Sequence, residues 1–201
     1  MGAMGGDGAD STRGRLLAAA ERILVEQGVN ALSVRRVGDA AGLNPTLVTY
    51  HFKGILNLLD ELATLNLEPM LADWDGIRPG TGPDTKTVLH NWLVPMLRPA
   101  AFTPGGRALS VLDEIAAHGE SALRDRVIGV MSDFSLRLRQ TLAPFLPHLS
   151  DGELRARVRF ISGAALGPPP RSYSATPREG DRQLDDIRYL LPFACAALGV
   201  E

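Results

Sequence analysis

Residues 13–52 read RGRLLAAAERILVEQGVNALSVRRVGDAAGLNPTLVTYHF, and this stretch settles the architecture. Its apolar residues recur at spacings of three and four, with Leu17, Ala20 and Leu24 on one face and Leu16 and Ile23 beside it, the period of a helix and not of a strand. Ser11 or Thr12 is placed to cap this first helix and Gly28 to stop it. Ser33 is placed to cap a second helix, lined by Val34, Val37 and Ala41 and ended by Gly42. Asn44 followed by Pro45 is a third start signal, an N-cap side chain before a proline at the first helical position, and the short helix it opens runs to Phe52. Only Gly42 and Leu43 join the second and third helices, so the chain must turn sharply between them. The pattern predicts a helix-turn-helix.

The rest of the chain is punctuated in the same way, and alternating β-branched runs are missing. Residues 55–67 form an apolar helical segment. Residues 68–83 carry Pro69, Gly76, Pro79, Gly80, Gly82 and Pro83 and read as a loop region, with room for a short helix in its first half. Asp84 starts a helix to about residue 98 that bends or breaks at Pro95, where the proline removes a backbone donor. Helices follow over 104–118, 121–145 and 151–166. Gly167, Pro168, Pro169 and Pro170 then break the pattern, a Pro, Ser and Arg loop leads to Gly180, and a last helix covers 181–198, ended by Gly199. The expectation is an all-α chain of about nine helices. Residues 1–10 are a Gly-rich disordered lead, 11–54 a helix-turn-helix domain, and 55–201 a helical C-terminal domain.

Composition narrows the function. With 201 residues, 45% hydrophobic and 22% charged, the chain is ordinary globular material, and disorder throughout is excluded. The single cysteine, Cys195, sits in an apolar run, which excludes an internal disulfide and a Cys-based zinc site. No apolar run approaches the roughly 20 residues that span a bilayer, and the N-terminus lacks the basic and apolar regions of a signal peptide. The expected location is cytoplasmic. Four scattered histidines, with no nucleophile motif and no paired catalytic acids, argue against an enzyme and offer no cofactor site. Glu114 and His118 lie four apart on one helical face, but a single such pair reads as a surface or capping contact, so no metal is expected.

A helix-turn-helix places its second member in the major groove while the preceding helix crosses the phosphate backbone. The groove is about 12 Å wide and admits one helix, which must present small or polar groups; Thr46 and Thr49 are of that kind. Here the residues resemble a family. LLAAAERILVEQGVNALSVRRVGDAAGLNPTLVTYHF is similar to the DNA-binding domain of TetR-family transcriptional regulators over residues 13–52. The first helix with its glycine, the cap at Ser33, the turn at Ala41 and Gly42, and the ending Tyr50, His51 and Phe52 carry the likeness. Asn44, Pro45, Leu47 and Val48 look like the family variant that opens its third helix with Asn-Pro.

Three departures stand out. Thr49 replaces a usual tyrosine. Gly38 replaces a usual alanine, which loosens the second helix by up to about 1 kcal/mol unless close packing compensates. Gly54, Ile55 and Leu56 stand where the family commonly reads Ser-Lys-Glu, so a phosphate-binding lysine, if present, is Lys53. Charge is a modest guide. Through residue 53, Arg13, Arg15, Arg22, Arg35, Arg36 and Lys53 stand against Asp7, Asp10, Glu21, Glu26 and Asp39, a net of +1, and the remainder carries −3. Adjacent arginines alone read as a solvated helix face, but Arg35 and Arg36 sit just inside the cap of the backbone-crossing helix.

The resemblance implies a homodimer that reads a double-stranded operator and a small-molecule ligand that releases it. Ser33, Arg35, Arg36, Asn44, Pro45, Thr46, Leu47, Thr49, Tyr50, His51 and Lys53 are the expected DNA-binding residues, with Tyr50 and His51 reaching phosphates and Thr46, Leu47 and Thr49 facing bases. Residues 66–73, NLEPMLAD, look like a helix junction of one TetR subgroup. Beyond that only the family plan carries over: a ligand pocket among the middle helices, for which His90, Trp92, Met96, His118, Met131 and Phe134 are candidates, and a dimer bundle of the last two helices. For that bundle, Phe160, Ala164, Ile187, Leu191 and Ala194 supply apolar area and close approach. The competing reading is a helical adaptor that keeps the fold without binding DNA.

Overall fold

The computed structural model describes residues 11–166 and 186–200. The expected lead over 1–10, the proline break at 168–170, the loop to Gly180 and the helix start at Asp181 lie outside them. Among the described residues the chain is all-α, with nine helices and two 3-10 turns and no strand. These are α1 (Thr12–Gln27), α2 (Val34–Ala41), α3 (Thr46–Phe52), α4 (Ile55–Trp74), α5 (Thr85–Met96), α6 (Ala108–His118), α7 (Ser121–Leu142), α8 (Asp151–Leu166) and α9 (Ile187–Leu198). The chain divides into two compact units. One runs through Asn66 and takes up Pro99–Arg124; the other comprises Leu67–Arg98 and the chain from Asp125 onward. The unit holding the helix-turn-helix therefore extends past residue 54 and includes α6.

Local chemistry explains the helix starts. Ser11 Oγ accepts the Gly14 N–H at 2.9 Å and opens α1, and Asp84 accepts the Thr87 N–H at 2.7 Å and opens α5. Asp84 is held below the usual carboxylate range chiefly by that backbone bond from Thr87. In the first unit, Leu16, Leu17, Ala20 and Ile23 of α1 bury against Val37, Val48, Phe52, Leu58 and Leu62 from the next three helices. Each large apolar side chain so buried contributes about 1.5–3 kcal/mol relative to exposure.

Several boundaries differ from expectation. The loop expected from residue 68 begins later, because α4 continues through Pro69 to Trp74. Met70 and Trp74 are fully buried, while Pro69 is exposed, so the apolar face outweighs one lost backbone bond. The helix expected from residue 104 starts at Ala108, since 99–107 folds into a turn in which Pro99 bridges Arg107. The helix expected over 121–145 is helical to Leu142 and finishes as a 3-10 turn over Ala143–Phe145. Pro95 lies in the last turn of α5, which ends at Met96.

Candidate nucleic-acid interface

The turn between α2 and α3 is built from backbone angles that the sequence permits. Ser33 Oγ accepts the Arg36 N–H at 3.2 Å and caps α2. Gly42 adopts the left-handed conformation, φ 64°, and ends it, and the Leu43 N–H returns to Gly38 O at 3.0 Å. Asn44 Oδ1 then accepts both the Thr46 N–H (2.9 Å) and the Thr46 hydroxyl (2.8 Å), while Pro45 already has helical angles. Asn44 is thus the working cap of α3, two residues before the regular helix begins at Thr46. Gly38 is buried against Pro45: a Cβ at 38 would lie 2.6 Å from Pro45 Cα. The departure from alanine is the close-packing case, for no larger residue fits beneath the proline.

This scaffold leaves a small polar face on α3. Thr46, Thr49 and Tyr50 are exposed, Tyr50 to 71%, while Val48 and Phe52 are buried. Leu47 is half-buried against the core, so only its free edge is available. His51 is half-buried, edge-on to Tyr50 at 5.0 Å between ring centroids and 6.3 Å from Phe52. Ser33, Arg35, Arg36, Asn44 and Lys53 are exposed and Pro45 half-buried. Lys53 ends α3 in the left-handed region, φ 64°, with its Nζ 3.3 Å from Tyr50 O. Gly54 follows at φ 137°, a value open to glycine, before α4 begins.

The basic residues have structural duties that charge counting misses. Arg15 and Arg22 on α1 donate to Ala41 O (2.8 Å) and Ala40 O (3.1 Å), placing two cations at the C-terminal end of α2 where the helix dipole favours them. Arg13 pairs with Glu61 of α4 and lies over the Phe52 ring, 5.1 Å from its centroid. Arg35 faces Asp39 at 3.7 Å with both side chains largely exposed, a contact of little energy, and Arg36 bonds the Gln27 side chain. Arg35, Arg36 and Lys53 remain on the surface.

The other candidates scatter. His118 lies in the first unit, exposed, with Nδ1 3.5 Å from Glu114, whose Oε1 accepts the Val29 N–H at 2.8 Å. No group of three or more potential metal ligands occurs among the described residues. The remaining five ligand candidates lie in the second unit, where Trp92, Met96 and Phe134 are buried, Met131 is half-buried and His90 is exposed. Sequence reasoning missed Trp74, which stacks on Phe134 at 3.9 Å and 7° and donates its indole N–H to Trp92 O at 2.9 Å. Arg137 lies over the Phe134 ring, its guanidinium carbon 5.3 Å from the centroid, and its buried Nε has no hydrogen-bond partner. On the last two helices Phe160 is 70% exposed, Ala164 is exposed, and Ile187 and Leu191 are half-buried. Ala194 is fully buried within its own chain. Tyr189 and Phe193, not singled out beforehand, are exposed on α9.

A short helix carried on two supporting helices, its small polar side outward, is the arrangement of a helix-turn-helix. Residues 16–62 match the TetR_N family model, bacterial regulatory proteins of the tetR family. The match covers α1 to α3 and the first part of α4, so the helix-turn-helix region is similar to the N-terminal domain of that family. Comparison with curated proteins finds no match. Among solved structures, the chain resembles a TetR-family regulator, PfmR, from Thermus thermophilus, with a TM-score of 0.66 at 18% identity over 95% of this chain and 97% of that one. It also resembles a TetR-family regulator from Rhodococcus sp., TM-score 0.58 at 20% identity, covering 93% and 96% of the two chains. A transcriptional regulator from Rhodococcus sp. Rha1 gives 0.55 at 20% over 94% and 95%. At these identities the likeness is one of fold. No described helix is long and apolar enough to cross a membrane.

Proposed function

We propose that the protein is a cytoplasmic, homodimeric repressor that reads a near-palindromic operator with two copies of α3 and leaves it when a small molecule binds the helical C-terminal domain. The observation that carries the reading is the exposed Thr46, Thr49 and Tyr50 face on a helix held by the Gly38 and Pro45 contact. Thr46, Thr49 and the free edge of Leu47 face bases, where their methyl groups suit thymine. Ser33, Arg35, Arg36, Asn44, Tyr50, His51 and Lys53 line the phosphate side, with Pro45 setting the helix start. With so small a net positive charge, each subunit makes few phosphate contacts, and two copies about 34 Å apart are needed for useful affinity.

Dimerisation on α8 and α9 is supported by the exposed Phe160, Ala164, Tyr189 and Phe193, an apolar surface at helical spacing. The ligand reading rests on the aromatic and Met side chains of the second unit, Trp74, Trp92, Met96, Met131 and Phe134. Selection of bound fragments from genomic DNA, followed by gel shift at graded salt, tests the whole. A discrete palindromic site is the expected result. Absence of a specific complex at any ionic strength establishes the adaptor reading instead.

A further inference from the structure

Glu21 of α1 is fully buried, and its partners among the described residues are neutral. One carboxylate oxygen accepts the side-chain amide of Asn66 at 2.9 Å, and the other accepts the backbone N–H of Phe102 at 2.7 Å. Asn66 is itself buried; its second amide hydrogen goes to Leu62 O at 2.9 Å, and its Oδ1 accepts the Ala101 N–H at 3.1 Å. Every polar atom of the pair has a partner only while the 99–107 segment is docked. That segment is folded on itself through Ala100 N–H to Gly106 O (3.0 Å) and Gly106 N–H to Thr103 O (2.8 Å). Phe102 packs against the helix-turn-helix core, and a Cβ at Gly106 would lie 3.3 Å from the Val25 methyls of α1.

A buried carboxylate is a poor choice for stability alone, since a packed apolar residue of similar volume serves a core better. What it adds is a single permitted arrangement: a partly undocked segment leaves one oxygen of the acid, and the Asn66 Oδ1, desolvated and without a donor. The position is telling as well. Asn66 and Pro99 are the residues at which the chain leaves and rejoins this unit, so a pull on either end acts directly on the bonds of Glu21.

We propose that Glu21 and Asn66 are positioning residues of a latch: they hold the 99–107 segment on α1 and α4 and thereby set the geometry of α3 for DNA, and regulation acts by opening them. The proposal rests on the DNA-binding reading above. The latch has two states, docked and released, and a regulatory signal need only favour one of them.

The test uses the full-length protein and its selected operator, with wild type, Glu21→Gln, Asn66→Ala and, as a control, Leu123→Ala, a core truncation elsewhere in the same unit. Affinities are read at several salt concentrations, at a temperature where all four are folded, together with backbone amide exchange. Both latch variants are expected to bind about five-fold or more weaker with the salt slope unchanged, since no phosphate contact is lost. Exchange at Ala101 and Phe102 should rise, and exchange in α3 with it. Leu123→Ala should stay within about two-fold of wild type in affinity. Latch variants that bind like wild type, or that weaken no more than Leu123→Ala does, overturn the proposal. A wild type that forms no specific complex fails the DNA-binding reading instead. The latch is then judged by exchange alone, and protection of α3 unchanged in both variants overturns it.

Discussion

Gly38 and Pro45 are a matched pair: a side chain on Gly38 would place its first carbon 2.6 Å from Pro45 Cα and 2.9 Å from both Pro45 Cγ and N. The Asn-Pro opening of α3 brings the proline ring down onto α2, and only glycine leaves room for it. What reads in the sequence as a weak point in α2 is the seat of the next helix.

Gly38→Ala should therefore destabilise the protein even though alanine is the better helix former. Overpacking of this kind costs about 1–3 kcal/mol, and operator affinity should fall along with it because α3 is displaced. Urea unfolding checks the first part; an unchanged midpoint in that variant would mean the contact is relieved without cost.

Thr49→Ala combined with Tyr50→Ala should remove operator binding and leave thermal stability nearly unchanged, since both side chains are exposed. Loss of base and backbone contacts at two positions per subunit predicts a fall of about 10-fold or more. Gel shift and thermal melting of the same preparation read the two effects separately.

Lys53→Gly should separate folding from binding. Lys53 is the non-glycine residue held at positive φ among the described residues, and glycine there relieves about 1 kcal/mol of backbone strain. The same change removes a cation from the operator side, so the salt slope should drop by about one per subunit lost from the interface. Higher stability with a shallower slope is the expected pair of results. A steeper or unchanged slope would remove Lys53 from the phosphate contacts.

Phe160→Glu should leave each chain folded and shift the protein to monomers, because Phe160 contributes little to its own chain's core. Sedimentation velocity measures this directly. A variant that remains dimeric would move the interface away from α8.

Ligand binding should be visible in tryptophan emission, because both tryptophans, Trp74 and Trp92, belong to the second unit and Trp74 stacks on Phe134. A ligand that releases operator should quench or shift that emission over the same concentration range. Release without any change in emission would place the ligand elsewhere.

The helices and the turn of the helix-turn-helix are legible in residue order, because caps and stops act over a few residues. Ser33 with Arg36, Gly42 with its positive φ, and Asn44 with Thr46 are bonds between near neighbours, and the residue types alone announce them. The exposed side of α3 follows from the same period. Long-range packing settles what Gly38 is for, why α4 runs through Pro69, and which unit α6 joins. Glu21 meets Asn66 and Phe102 across 45 and 81 residues of chain, and Trp74 meets Phe134 from another helix. Such contacts leave no period and no spacing rule in the sequence. A buried acid and a surface acid are the same letter until the chain has closed around one of them.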